Sequence, residues 1–407
     1  MLYRFISGTN GILSDPTNWQ PDGGPPGAND VAVIRSAGDL YGSLSVDTLW
    51  FPRTNPNGQI HGDQIYGSLT ATTTRVVGEI VTLETGASLT TGKLLINANG
   101  LEASTAGSAD PNAPPITINT SSTLIKSEGK GFARYPNGSL TAYNTVWNNT
   151  GGVFVSAGST TGGTQGGGLG FDDHSVVTIG KDLRIDTAGN QIAYVELFES
   201  TMSIGHDLVV GSGADFEYYA GSALDVGHKL TLLAGSTFTI GAGGYVLNPD
   251  LAVIHAGTVE LAASATFIGT GTITGPGADN TTIFNRGVIE PSDSLIIKGN
   301  IYDQGGTIDM RANSVLTVDG GMWGQSIEFK GGGHLSAEYF GGDTTISGFA
   351  YGDILSVADI ASISYDHASH VLSLEQSGGG IERFHIKGNL NGEHFVLGSN
   401  GNITLAS

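Results

Sequence analysis

The segment "FDDHS", Phe171 to Ser175, sets two carboxylates beside an imidazole: Asp172, Asp173 and His174. Such a trio would suit general acid/base chemistry on a glycan, or supply oxygen ligands to calcium. Neighbouring residues on a strand point to opposite faces, however, so the bland alternative is a solvated polar turn ahead of the next apolar segment. His206 and His228 occupy equivalent places in a sequence repeat, with Lys181 in that place one copy earlier. Stacked, the histidines would form a pH-sensitive ladder or, with a carboxylate, a metal site; two imidazoles are few for a metal, and the opposing reading is corner decoration. Phe216 and Tyr218 in "DFEYYAG" share a face and would make either a sugar-stacking patch or an inward packing pair, with Tyr219 beside them.

Cleavage of an acidic polysaccharide by elimination needs a base and cations that neutralise the uronate. The arginines are scattered; Arg286 and Arg311, 25 residues apart, are the pair whose spacing would let them stack, for structure as easily as for function. The glycine-rich segments lack the Lys-Ser/Thr ending of a phosphate loop, and the calcium-binding nonapeptide repeat is missing. Asn-x-Ser/Thr triplets such as those at Asn119 and Asn137 carry no weight in a chain this rich in Asn, Ser and Thr. The sequence therefore designates no catalytic, cofactor-binding or metal-ligating residue; calcium is the one ion its carboxylates would suit.

These groups would have to be positioned by short strands. The 407 residues include 64 glycines and only 14% charged residues, a composition of strands and tight turns. The net charge of −21 repels polyanions and argues against nucleic acid as a partner. Absent cysteine removes disulfides, thiolate metal sites and cysteine nucleophiles. "MLYRFISGTNG" has no signal-peptide apolar run and no later segment reaches membrane-span length, so a soluble chain is expected, with any export signal outside it or of another kind.

A repeat organises the middle of the chain. "SVVTIGKDL" (Ser175–Leu183), "STMSIGHDL" (Ser200–Leu208) and "SALDVGHKL" (Ser222–Leu230) share one pattern, "STFTIGAGG" from Ser236 repeats its first half, and "SLTTGKLLI" (Ser88–Ile96) is a weaker copy. The spacing predicts coils of parallel strands: Val177, Ile179 and Leu183 inward, Thr178 outward, the glycine turning a corner through unusual backbone angles, and Ile179, Ile204 and Val226 stacked about 4.8 Å apart. In "GVIEPSDSLIIKGNIYDQGGTIDM", Val288, Ile289, Leu295, Ile296, Ile297, Ile301, Ile308 and Met310 read as core, Gly287, Pro291, Gly299, Gly305 and Gly306 as turns, and Glu290 and Asp293 as an exposed corner. The expected fold is an all-β, right-handed parallel β-helix: an N-terminal β cap over 1–60 anchored by Trp19, Trp50 and Phe51, coils over 61–340, and a C-terminal antiparallel β region over 341–407. A dozen or so coils of roughly 22 residues would give a rod on the order of 60 Å long. "STAGSADPNAPP" (Ser104–Pro115) and "GSTTGGTQGGGLG" (Gly158–Gly170) are expected to bulge from it.

"GTGTITG" followed by "NRGVIEPSDSLIIKGNIYDQGGTIDM" resembles the passenger-associated repeat of autotransporter β-helices. Pro291, Ser294, Leu295, Gly299, Asn300, Gly305, Gly306 and Thr307 match its pattern, while Ser292 and Asp293 replace the usual Gly-Asn. "SDPTNWQPDGGPPGANDVAVI" is similar to the opening of many bacterial extracellular β-helix proteins, and the last 65 residues resemble the segment preceding a Hint self-processing domain. This sequence stops at Ser407 with neither the cysteine that begins a Hint domain nor a membrane barrel, which reads as a trimmed chain or a processed product. The resemblance implies export and residence at a bacterial surface or in the extracellular matrix.

The function expected is therefore non-enzymatic: a matrix component, adhesin or self-assembling fibre subunit that acts through length, rigidity and repeated surface. Its partners would be copies of itself, end to end, or a polysaccharide or cell surface. The alternatives are a polysaccharide-degrading β-helix enzyme, lyase or hydrolase, and a glycan-binding adhesin without turnover.

Overall fold

The computed structural model describes residues 1–407 except 7–10, 22, 36–37, 53–61, 78–79, 98–99, 104–112, 128–138, 158–166, 188–191, 220, 243–251, 279, 304, 342, 389, 391–392, 399 and 407. The two expected bulges fall largely outside the described residues, as do Arg53, Arg134 and the triplet at Asn137. The described residues form β-strands joined by turns and short 3-10 segments, with no α-helix among them, and most strand pairing is parallel. Two compact units divide the chain, Met1–Glu217 and Tyr218–Ser407.

In the first unit Leu2–Phe5 pairs antiparallel with Trp19–Gln20 and parallel with Val31–Val33. Trp19 is fully buried, donates its indole N–H to the Leu13 carbonyl at 2.9 Å and packs edge-on against Phe5. Beyond it the strands stack in parallel coils of three. Gly168–Asp172, Val176–Ile179 and Leu183–Thr187 make one coil, and each lies in register beside its counterpart in the coils before and after. Alternation along each strand sends every second residue inward. Leu44, Leu69, Leu89, Ile118, Trp147, Val177 and Met202 are therefore successive register partners in one buried column. Ile179 and Ile204 pair directly and are buried, as expected, and Thr178 is exposed.

The second unit repeats the arrangement. Phe238, Phe267, Ile289, Ile308, Ile327, Ile346 and Ile386 form its column, with the two phenyl rings stacked at 5.4 Å. Val226 lies here, buried, with Ala256 as register partner. Parallel pairing continues through Ile354–Val357. Antiparallel hairpins follow: Ile360–Asp366, Val371–Gln376 and Ile381–Lys387 in succession, then His394–Leu397 against Asn402–Ala406.

A recurrent tight turn explains why the repeat begins with serine. In Asp172–Ser175, Leu233–Ser236 and Arg311–Ser314 the third residue has positive φ and the fourth donates its N–H to the first carbonyl at 3.0–3.3 Å. The fourth side chain points into the coil, where only a small residue fits; Ser175, Ser236 and Ser314 are buried, each donating its hydroxyl to that same first carbonyl at 2.6–2.8 Å. A buried hydroxyl thus satisfies itself within its own turn. Ser175 Oγ also lies 3.2 Å from the Thr145 N–H of the preceding coil, and Ser200 Oγ 3.2 Å from the Ser175 N–H, so the serines link coils as well.

Three local readings need correction. Gly180 and Gly205 do not sit at unusual backbone angles; a Cβ on Gly205 would lie 2.5 Å from the Gly180 carbonyl oxygen, so glycine is required by the close approach of adjacent coils. Val288 and Ile296 face outward and are only half-buried, because strict alternation with buried Ile289, Leu295 and Ile297 leaves them no inward direction. Pro291 is a buried strand residue, and Glu290 is half-buried in the same strand and ion-paired; Asp293 does occupy an exposed corner.

Candidate functional site

The Asp172–Asp173–His174 trio forms the exposed arm of the turn just described, with positive φ at both Asp173 (49°) and His174 (60°). Asp172 accepts the Asp173 N–H at 2.7 Å, and burial raises its carboxyl above the ordinary aspartate value, against the pull of that bond. His174 lies across the coil boundary, Nδ1 3.2 Å from the Glu199 carbonyl oxygen and 4.0 Å from the Glu199 carboxylate. The structure thus joins Asp172, His174 and Glu199 into one polar corner. Proximity of Glu199 is invisible in the sequence because it lies 25 residues on, at the corresponding corner of the next coil.

In the first unit His206 continues the column from Lys181, donating its backbone N–H to the Lys181 carbonyl at 3.2 Å. Its ring Nδ1 is 2.8 Å from Asp182 Oδ1 and 3.4 Å from Asp207 Oδ2. His228 is exposed in the strand Ala223–Leu232 of the second unit. Phe216 and Tyr218 are both fully buried, which decides between their two readings for inward packing and against a sugar-stacking patch. The Tyr218 hydroxyl is spent on the carbonyls of Ser222 and Val253, and burial pushes its phenol far above the ordinary value.

Arg286 and Arg311 do not stack. Arg286 binds the Asp303 carboxylate, whereas Arg311 binds Glu290. The second pair belongs to a charged column in which Glu290, Asp309 and Glu328 follow one another on the outer face. Arg311 offsets the first of these carboxylates and Lys330, 2.6 Å from Asp309, the second; that bond raises the Lys330 ammonium above its ordinary range. Alternate charges on adjacent coils therefore convert like-charge repulsion into a ladder.

The most developed outward feature of the second unit is aromatic. Phe284 and Tyr302 are register partners with centroids 6.1 Å apart. Tyr302 stacks on Trp323 at 4.4 Å and 9°, and Tyr339 meets Trp323 edge-on at 4.9 Å. Phe284 is 40% and Tyr339 36% exposed. Beside them the register partners are glycines: a Cβ on Gly341 would collide with the Trp323 indole, and one on Gly321 with the Tyr339 ring. Tyr194 covers Gly168 in the same manner in the first unit, and burial together with the Glu196 charge pushes its phenol up to about 12. At the Phe284 end lies a cavity of about 400 Å³, walled by Leu233, Leu261 and Ala262 and rimmed by Glu260, Arg286 and Asp303. No known family matches this chain, and no curated protein does. No helix among the described residues is long and apolar enough to cross a membrane.

Proposed function

We propose that this chain is a non-enzymatic structural β-solenoid of the bacterial cell surface or extracellular matrix, a matrix component, adhesin or fibre subunit. The observation that carries the proposal is the parallel register that sets residue upon residue from coil to coil within each unit, shifted only locally, as at Val226/Lys229, Gly269/Gly271 and Val318/Gly321. Inward columns of seven side chains, buried turn hydroxyls and outward charge ladders all use sequence to fix one coil on the next. A chain organised in this way resists shear along every strand pair and presents the same surface chemistry repeatedly. In this reading the coils wind right-handed, the hand that parallel crossover connections favour overwhelmingly. The strands around Trp19 and the C-terminal hairpins act as caps that withhold open sheet edges. The resemblance to passenger-associated repeats and to the region before Hint domains supports export.

The test is assembly. Purified protein examined by electron microscopy and light scattering, with and without calcium, is expected to form concentration-dependent end-to-end assemblies; monomers under every condition would remove the fibre version. One observation favours the second reading, a polysaccharide-degrading β-solenoid: the raised carboxyl of Asp172 beside His174 and Glu199, as a general acid requires. New reducing ends or unsaturated products from a glycan panel, lost in Asp172→Asn, would establish it.

A further inference from the structure

We propose that the outward aromatic column Phe284–Tyr302–Trp323–Tyr339, with the cavity at its Phe284 end, binds a neutral β-linked glucan-type chain. This goes beyond the structural role and does not rest on it.

The column is built rather than incidental. Four rings project from successive coils, and glycines at Gly321 and Gly341 clear the space over which Tyr339 and Trp323 lie. A glycine within a strand loses packing and adds backbone entropy to the unfolded chain, so two glycines beneath two rings mark a place where ring position matters more than sheet stability. Phe284 and Tyr339 are exposed and Tyr302 and Trp323 half-buried, so the column keeps part of its ring surface in solvent. Tyr302 and Trp323 back one another face to face, and the ring surface left to solvent, greatest at Phe284 and Tyr339, is what packs against the C–H surface of a pyranose.

The surroundings select the ligand. The cavity combines an apolar wall, Leu233, Leu261 and Ala262, with acceptors on Glu260 and Asp303 and a donor on Arg286. That is the arrangement for a sugar ring, whose hydroxyls need both kinds of partner while its axial C–H groups need apolar contact. Charge then excludes acidic glycans. Arg286 is paired with Asp303 and Lys229 with Glu260 at 3.2 Å, so both cations are neutralised in place, on a chain of net charge −21. A polyuronate would meet carboxylates without an uncommitted counter-charge at this rim. A chain with all-equatorial hydroxyls presents C–H surface on both faces of every residue and can follow the rings from coil to coil.

The experiment is calorimetric titration of the full chain with cellohexaose and, separately, with hexagalacturonate. The intrinsic tryptophan emission is followed in parallel, with Trp19, Trp50 and Trp147, all in the first unit, as the background against which Trp323 reports. Cellohexaose is expected to bind and to alter the emission, hexagalacturonate to bind at least tenfold more weakly. Trp323→Ala should weaken cellohexaose about tenfold, the value of one aromatic stack. Trp323→Phe, which keeps a ring over Gly341, should retain binding within about threefold while abolishing the emission change. Absence of cellohexaose binding at millimolar concentration, equal binding by Trp323→Ala with native circular dichroism, or preference for hexagalacturonate would each overturn the proposal. So would wild-type self-association that Trp323→Ala abolishes, since the column would then be an interface between copies of the chain.

Discussion

Replacing Gly205 by alanine tests how closely the coils approach. Its backbone angles are ordinary, so alanine brings no conformational penalty of its own. The new Cβ would lie 2.5 Å from the Gly180 carbonyl oxygen, where ordinary contact begins at 3.4 Å, so the coils must part locally by about 0.9 Å. The Gly205 N–H donates to the Ile179 carbonyl at 2.7 Å, and the same displacement stretches that bond to about 3.6 Å, beyond hydrogen-bonding range. Losing one backbone bond at this exposed glycine costs about 0.5–1.5 kcal/mol and the residual overpacking about 1–2 kcal/mol, giving about 1.5–3.5 kcal/mol in all. Two other glycines calibrate the result. Gly305 has φ +98° and open space around it, so alanine there meets only backbone strain of about 1–2 kcal/mol. Gly378 has neither positive φ nor a neighbour within 4 Å, and alanine should be neutral or stabilising by up to about 1 kcal/mol. The assay is urea denaturation followed by circular dichroism, with hydrogen exchange over residues 176–210 to localise the loss. Because stacked coils need not unfold together, the local exchange decides. A Gly205→Ala variant as stable as Gly378→Ala would refute the reasoning.

Three further outcomes follow from the same geometry. Phe267→Ala removes a buried ring stacked on Phe238 and should destabilise the second unit by about 3–5 kcal/mol, read from its denaturation midpoint. Burial raises the Glu382 carboxyl above 4.5, outweighing the bond it accepts from the Phe340 N–H at 3.0 Å. A raised folded-state value means its stabilisation is complete below about pH 4.5 and is lost as pH rises through the folded value. Glu382→Gln, which mimics the neutral acid, should therefore match wild type in acid and exceed it at neutral pH; equal denaturation midpoints at pH 7 would contradict this. Arg311→Ala leaves the half-buried Glu290 without its cation and should lower stability by about 1 kcal/mol in low salt, with the difference shrinking as sodium chloride is added.

The sequence disclosed what depends on period and small side chains. Val177, Ile179 and Leu183 point inward as their alternation requires, and the recurring serine, visible as a repeat, proves to be the buried fourth residue of a turn. Apolar character alone misled at Val288 and Ile296, since the strand can bury only alternate positions. The role of Gly180 and Gly205 was hidden because ordinary backbone angles and a neighbouring coil's carbonyl leave no trace in a single chain. The aromatic column was hidden for a different reason. Phe284, Tyr302, Trp323 and Tyr339 are 18, 21 and 16 residues apart, because turns of unequal length separate the strands, and no fixed period connects them. Glu199 stands at the 25-residue repeat spacing from His174, yet it lies just before the recognisable pattern at Ser200.

The absence of cysteine permits a direct test of coil-on-coil register. Val176 faces Thr201 and Thr178 faces Ser203 across adjacent parallel strands. Paired cysteines at either couple would bring Cα atoms about 5 Å apart, within disulfide range, whereas Val176 with Ser203 is displaced along the strand by two residues to about 8 Å, outside it. Mild oxidation of the three double variants should cross-link the first two within the monomer and leave the third reduced. Cross-linking of Val176→Cys/Ser203→Cys in preference to the facing couples would contradict the stacked-coil account.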